Sequence, residues 1–74
     1  MKLYAYFLKS KCLNGNIHFE IQTSEYDVRE TPQFYYFNNS YPYIRISKNE
    51  IGKVEAGRVY LLDPDLNKAK KMFI

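Results

Sequence analysis

The sequence predicts an α+β fold, with an antiparallel sheet of four to five strands and one C-terminal helix packed across one face. Two observations lead to this prediction. Short apolar runs typical of strands recur along the chain up to Leu62, and helical spacing of apolar residues appears only after Pro64. A helix of about ten residues is not stable alone, so its apolar stripe has to lie on the sheet. Residues 1–74 are therefore expected to form one small domain.

The first two strands are predicted to form a hairpin. Residues 2–11 carry apolar side chains on both faces, which places this strand in the centre of the sheet. Asn14-Gly15-Asn16 is a strong turn signal, because Asn and Gly tolerate the positive φ of a tight turn. Residues 17–23 then alternate apolar and polar. We expect this strand to continue to about Glu30, since a helix before Pro32 would have less than two turns.

The middle of the chain is rich in aromatic residues. Residues 34–43 contain six of them, and residues 34–37 read as a third strand with Phe34 and Tyr36 on one face. The chain turns at residues 38–40 and restarts as an extended segment that runs to Ser47. Because this segment contains Pro42, we place it at an edge of the sheet.

The last third of the chain contains the clearest boundaries between elements. Ser47 and Glu50 match a capping box, which predicts one helical turn ending at Gly52. Residues 59–62 are apolar throughout, as in an interior strand covered on both faces. Asp63 then stands at the expected N-cap and Pro64 at the first helical position. The apolar stripe of the helix is formed by Leu66, Ala69 and Phe73.

Composition narrows the classes of function. A single cysteine, Cys12, excludes an intrachain disulfide and a cysteine-based zinc site, which fits a reducing compartment. The longest apolar run, residues 3–8, is too short to span a bilayer, so we expect a cytoplasmic protein with no membrane partner. The net charge of +3 is mixed in sign along the chain, which gives little support to nucleic-acid binding.

The chain has no evident catalytic set. His18 and Glu20 share a strand face and could act as acid and base in a small ribonuclease-like site, but a solvated strand surface explains the pair more simply. Metal-ligand spacing and a Gly-rich phosphate loop are both absent from the sequence. We therefore expect a protein that is not an enzyme and that uses no metal or cofactor.

A recognition surface is the better prediction. Stiff amphipathic rings beside short polar residues are typical of protein-binding surfaces. The residues expected to contact a partner protein are Tyr35, Tyr41, Tyr43, Arg45 and Lys48. The alternative is a small single-stranded nucleic-acid-binding protein, in which the rings stack on bases and Lys and Arg contact phosphates.

Two further possibilities stay open. Glu20, Glu25, Asp27 and Glu30 stand at strand positions and could imitate a row of phosphates, although a solvated sheet face is the simpler explanation. An exposed sheet edge would also permit self-pairing, so the chain is expected to be a monomer or a homodimer.

Residues 45–54 (RISKNEIGKV) and 59–69 (VYLLDPDLNKA) resemble short uncharacterised proteins of phages and prophages of Gram-positive bacteria, and residues 28–32 (VRETP) share that character. The resemblance covers less than half of the chain and transfers no functional residue. It implies an accessory protein that binds a host or phage macromolecule in the host cytoplasm. That class includes inhibitors of bacterial defence nucleases, such as anti-CRISPR proteins.

Overall fold

In a computed structural model, which describes residues 1–38 and 44–73, the chain forms an antiparallel sheet and one C-terminal helix, as the sequence predicts. The strands lie in the order β4-β3-β2-β1-β5. The elements are β1 (Lys2–Leu13), β2 (Asn16–Glu30), β3 (Phe34–Phe37), β4 (Arg45–Ser47), a 3₁₀ turn (Lys48–Glu50), β5 (Arg58–Leu61) and α1 (Leu66–Met72).

A long hairpin of β1 and β2 runs through the centre of the sheet. The two strands pair from Lys2 opposite Asp27 to Leu13 opposite Asn16. Asn14 and Gly15 form the turn with φ of 53° and 78°, the left-handed conformation that an Asn-Gly hairpin turn requires. The predictions of a central first strand and of a second strand that continues to Glu30 are confirmed.

The end of this hairpin projects beyond the rest of the sheet. β5 pairs with β1 only at residues 4–7, and β3 pairs with β2 only at residues 28–30. Residues 9–20, called the hairpin arm from here on, are consequently all exposed. The molecule measures 46 × 25 × 18 Å.

One face of the sheet, the helix face, is covered by α1. Tyr6 of β1, Val59 and Leu61 of β5 and Ala69 of α1 form its buried cluster. The Tyr6 hydroxyl donates a hydrogen bond of 3.1 Å to the carbonyl oxygen of Asp63, which ties the central strand to the segment before the helix.

The opposite face has a second cluster. Leu3, Val28 and Tyr35 are buried there. Half-buried side chains pack around them, namely Tyr26, Phe37, Ile46, Ile51 and Tyr60. Ile51 follows the predicted single helical turn, whose N-cap Ser47 accepts a hydrogen bond of 3.3 Å from the Asn49 N–H.

The predicted start of the C-terminal helix was wrong by two residues. Asp65, and not Asp63, is the N-cap: its Oδ1 accepts hydrogen bonds from the N–H groups of Asn67 at 2.9 Å and Lys68 at 3.2 Å. Asp63 Oδ1 instead accepts from the Asp65 N–H at 3.1 Å. Leu66, placed on the apolar stripe, is 38% exposed because it starts the helix instead of lying inside it.

The predicted interior position of the last strand was also wrong. β5 lies at an edge of the sheet next to β1. Its apolar pattern has another cause: Val59 and Leu61 are buried under the helix, while Tyr60 packs on the opposite face. Leu62 lies past the end of the strand and is 44% exposed.

Candidate functional site

Of the residues that the sequence grouped as a contact surface, the structure places Tyr35 and Lys48 together and Arg45 on the other face of the sheet. Tyr35 is only 6% exposed and belongs to the buried cluster of the opposite face. Lys48 covers it, with Nζ 5.2 Å from the ring centroid and 3.3 Å from Glu30 Oε1. Arg45 pairs with Tyr36 on the helix face, and the predicted contacts Tyr41 and Tyr43 lie outside the described residues.

Arg45 belongs to a surface group of two half-buried rings and two exposed arginines, which we call the arginine–aromatic cluster. It consists of Arg29, Phe34, Tyr36 and Arg45 on adjacent strands of the helix face. The Arg45 Cζ lies 4.2 Å from the Phe34 ring centroid, and the Arg29 Cζ lies 5.0 Å from that of Tyr36. Arg45 Nη1 also donates to the Tyr36 hydroxyl at 3.5 Å, and the two rings are 6.1 Å apart.

This cluster can bind planar or anionic groups. Each guanidinium is held against a ring by a cation–π contact, which fixes its plane and leaves donors facing solvent. Rings beside cations are the arrangement that stacks on unpaired bases and contacts phosphates. Sequence reasoning found Arg45 and the shared face of Phe34 and Tyr36. It missed Arg29, because only the register of β2 and β3 places Arg29 opposite Tyr36.

The hairpin arm carries the second unusual surface. On its helix-face side, Ile17 and Phe19 are 69% and 67% exposed, with Ser10 and Cys12 opposite them in the pairing. Large apolar side chains clustered in the open are typical of interaction sites. The sequence predicted their alternation with polar residues but gave no sign that the apolar side would lack a cover.

The other side of the arm is mostly polar, with Leu13, 48% exposed, as the large apolar side chain next to the turn. His18 stands opposite Lys11, and Glu20 stands opposite Lys9. His18 and Glu20 share this face, as predicted, but both are exposed on the arm. Among residues 1–38 and 44–73, no three His, Cys, Asp or Glu side chains come together in an arrangement that could hold a metal ion.

The four carboxylates of the acidic segment do not form one row. The pairing places Glu25 and Asp27 on the helix face, and Lys2 Nζ lies 2.9 Å from an oxygen of each. These bonds raise the pKa of the Lys2 ammonium, Asp27 contributing most, and lower the pKa of the Asp27 carboxyl. Glu20 and Glu30 lie on the opposite face, so the sheet separates the two pairs.

A groove of about 280 Å³ opens on the opposite face beside β4 and β5. Its lining includes the apolar side chains of Phe37, Ile46 and Tyr60 and the charged side chains of Glu50, Lys53 and Glu55. His18 does not line it. The groove therefore offers an apolar contact with mixed charge around it and does not bring the histidine and the carboxylates into one cavity.

No protein-family model, curated protein or solved structure matches this chain. In the part of the chain that the structure describes, no helix has the length and apolar character needed to cross a membrane.

Proposed function

We propose that the protein is a non-enzymatic protein-binding module that contacts its partner through the helix-face side of the hairpin arm. The observation that carries this proposal is the exposure of Ile17 and Phe19 on an element that extends past the cores of both faces. Burying an Ile or Phe side chain contributes about 1.5–3 kcal/mol each, so this pair can supply much of the energy of a specific contact.

The arm adds little to the stability of the fold, which supports a role in binding. All of residues 9–20 are exposed, and a two-stranded ribbon by itself is at best marginally stable in water. Placing Ile and Phe on such a ribbon lowers solubility without filling a core. A partner surface that covers them accounts for their presence.

The resemblance to phage and prophage proteins supports a host or phage protein as the partner, encountered in the host cytoplasm. Inhibition of a host defence nuclease, as by an anti-CRISPR protein, is the specific action that we propose for such a complex. Tyr41, Tyr43 and Arg45 remain predicted contacts in addition to the arm.

The experiment is affinity capture from a Gram-positive host lysate, with and without nuclease treatment, followed by capture of the identified partner in purified form. Phe19→Ser is expected to reduce capture at least tenfold, because it removes the largest exposed apolar side chain of the arm. Lys11→Ser, on the polar side of the same arm, is the matched control and should capture normally. Equal capture by the wild type and Phe19→Ser would refute this contact surface.

The second candidate function is single-stranded nucleic-acid binding, which the arginine–aromatic cluster supports. Phe34 and Tyr36 are half-buried on one surface, and the guanidinium groups of Arg45 and Arg29 lie over their rings. Bases would stack on the guanidinium planes and on the ring area left uncovered beside them, and the guanidinium groups would contact phosphates, without preference for sequence.

A labelled single-stranded oligonucleotide tests this candidate. Binding should weaken steeply as the salt concentration rises, since phosphate contacts release counterions. Arg45→Ala should lower the affinity and reduce the slope of log affinity against log salt concentration by about one, the value for one phosphate contact. Lys53→Ala, which removes a cation outside the cluster, is the control. Equal losses for the two variants would indicate only a general attraction of charge and would exclude the cluster as a site.

A further inference from the structure

We infer that two copies of this chain pair through the outer edges of their β2 strands, so that the two sheets join into one. In the described part of the chain, no strand pairs with this edge between Asn16 and Tyr26. The inference does not require the proposed function, because it rests on the unpaired backbone edge of the arm and on how that edge matches its own copy, whereas the proposed contact needs a partner protein that covers Ile17 and Phe19.

The hydrogen-bond pattern shows which groups of β2 point outward. The Val28 N–H bonds to Met1 on the β1 side, whereas the Asp27 carbonyl accepts from Asn38 on the outer side. Because these directions alternate along a strand, even-numbered residues of β2 bond to β1 and odd-numbered residues face outward. Ile17, Phe19 and Ile21 therefore direct their N–H and C=O groups toward the free edge.

The sequence of this edge is complementary to itself in one antiparallel register. A two-fold axis at Phe19 sets Phe19 against its copy and Ile17 against Ile21 of the other copy. On the polar face, the same register sets His18 against Glu20 of the other copy in two symmetric positions. Apolar pairs on one face and unlike polar pairs on the other are favourable cross-strand neighbours.

Moving the two-fold axis to a neighbouring residue of β2 removes these favourable side-chain pairs. A two-fold axis at Glu20 sets Glu20 against its own copy, which is repulsive. An axis at Ile21 sets Ile17 opposite Glu25, and an axis at His18 sets Ile21 opposite Gly15 in the turn. Each of these registers sets odd-numbered residues opposite odd-numbered ones, so the backbone groups allow all of them. Side-chain pairing is what favours the register at Phe19.

The symmetry has a consequence for the assembled surface. An antiparallel pair of strands is related by an axis normal to the sheet, so the helix faces of both copies lie on the same side. The two arms then lie side by side, with Ile17 and Phe19 of both copies forming one apolar surface. The rest of each sheet extends away in opposite directions.

Hydrogen exchange at increasing protein concentration, alongside analytical ultracentrifugation, tests this register. Self-association should protect the amide groups of Ile17, Phe19 and Ile21 as the dimer forms. The amide groups of His18 and Glu20, already bonded to β1, should change little. A chain that stays monomeric at millimolar concentration, or a dimer that protects other residues instead, would refute the inference.

Charge substitutions provide a second test. His18→Glu sets two carboxylates against each other across the dimer, and Glu20→Lys removes the carboxylate that faces His18 of the other copy. Each variant should therefore raise the dimer Kd about two- to thirtyfold. A mixture of the two variants forms complementary pairs at both positions and should dimerise more tightly than either alone. A variant with a merely frayed arm would not be rescued by mixing, and lack of rescue would count against this register.

The outcomes for the two proposals are distinguishable. Partner capture that depends on Phe19 in a chain that remains monomeric would support the proposed contact and refute the dimer. A dimer with the expected amide protection, together with partner capture that does not depend on Phe19, would support the dimer and refute the proposed contact. Protection of the odd-numbered amide groups only when a different protein is added would assign the edge to that protein and exclude a second copy.

Discussion

Two aspartates on either side of Pro64 have different roles at the start of α1. The Asp65 carboxylate accepts two helical N–H groups, whereas the Asp63 carboxylate accepts the N–H of Asp65, outside the helix, and makes an exposed ion pair of 3.9 Å with Lys68. We therefore expect Asp65→Ala to lower the free energy of unfolding by about 1 kcal/mol and Asp63→Ala to lower it by less. Urea denaturation of both variants checks the order, and a larger cost at Asp63 would contradict the observed cap.

The local sequence could not choose between these two aspartates. Asp-Pro-Asp fits a cap at the first aspartate with proline in the first turn, and it fits equally a cap at the second with proline before it. Tertiary contact makes the choice: the Asp63 carbonyl accepts the Tyr6 hydroxyl, which holds residue 63 over the central strand and delays the helix. No pattern in residues 63–65 records the position of Tyr6.

Tyr6 gives the fold a dependence on alkaline pH. Burial raises the pKa of its hydroxyl, and the nearby charges of Asp63 and Asp65 act in the same direction. Because the pKa of the Tyr6 hydroxyl is higher in the folded state than in the unfolded state, its contribution to stability is complete below the unfolded pKa of about 10. This contribution is lost as pH rises from that value through the higher pKa of the folded state. The free energy of unfolding should thus fall above about pH 10.

Tyr6→Phe isolates this contribution. The variant loses the hydrogen bond to the Asp63 carbonyl, which should cost about 1 kcal/mol at neutral pH. Above about pH 10 its stability should fall less steeply than that of the wild type, because the titrating hydroxyl is gone. Urea unfolding from about pH 8 to pH 11 measures both effects, and parallel pH curves would refute the role of Tyr6.

At the scale of elements, the turn at Gly15 controls the arm rather than the body. Gly15 has φ of 78°, and a Cβ atom added to it would meet no other atom within 4 Å, so Gly15→Ala introduces backbone strain and no clash. We expect this strain to destabilise the folded state by about 1 kcal/mol. The effect should be confined to local opening of the arm, because residues 9–20 are exposed.

Amide hydrogen exchange of dilute protein measures where that cost appears. His18 and Glu20 should exchange faster in Gly15→Ala, while Leu3 and Tyr6 should keep their protection. Gly52→Ala is the matched control, since Gly52 also has a positive φ and open space but lies outside the arm. Loss of protection throughout the sheet would show that the arm and the body unfold together.

The positions of the first two strands could be predicted from local sequence patterns, but which of their faces would be buried could not. The alternation in β2 and the Asn-Gly turn are local signals, and both predicted the hairpin. Whether a face is covered depends on where β3 and β5 pair, and those contacts join residues far apart in the chain. This is why the exposure of Phe19 and the edge position of β5 were not predictable.

The arginine–aromatic cluster also depends on pairing between residues that are far apart in the chain. The alternation of residues 34–37 predicted that Phe34 and Tyr36 share a face, and Arg45 was expected at a surface. Arg29 joins them only because the β2–β3 register sets it opposite Tyr36, and Arg45 reaches Phe34 only because β4 returns alongside β3. The composition of the site was readable from the sequence, whereas its geometry required the sheet order.

At the scale of the whole molecule, β1 connects two cores that lie on opposite faces. Tyr6 belongs to the cluster under the helix and Leu3 to the cluster on the other face, with both side chains fully buried. A domain of this size has a total stability of about 4–11 kcal/mol, so neither core has a large margin. Because they share one strand, we expect them to unfold in one cooperative transition.

Leu3→Ala and Val59→Ala test this coupling from the two faces. Leu3→Ala should cost about 2–5 kcal/mol through the cavity it leaves, and Val59→Ala somewhat less, because fewer atoms are removed. In each variant, NMR signals of the helix-face core and of the opposite-face core should disappear at the same urea concentration. If Leu3→Ala melts the signals of Val28 and Tyr35 while those of Val59 and Ala69 persist, the two faces are separate folding units and β1 does not couple them.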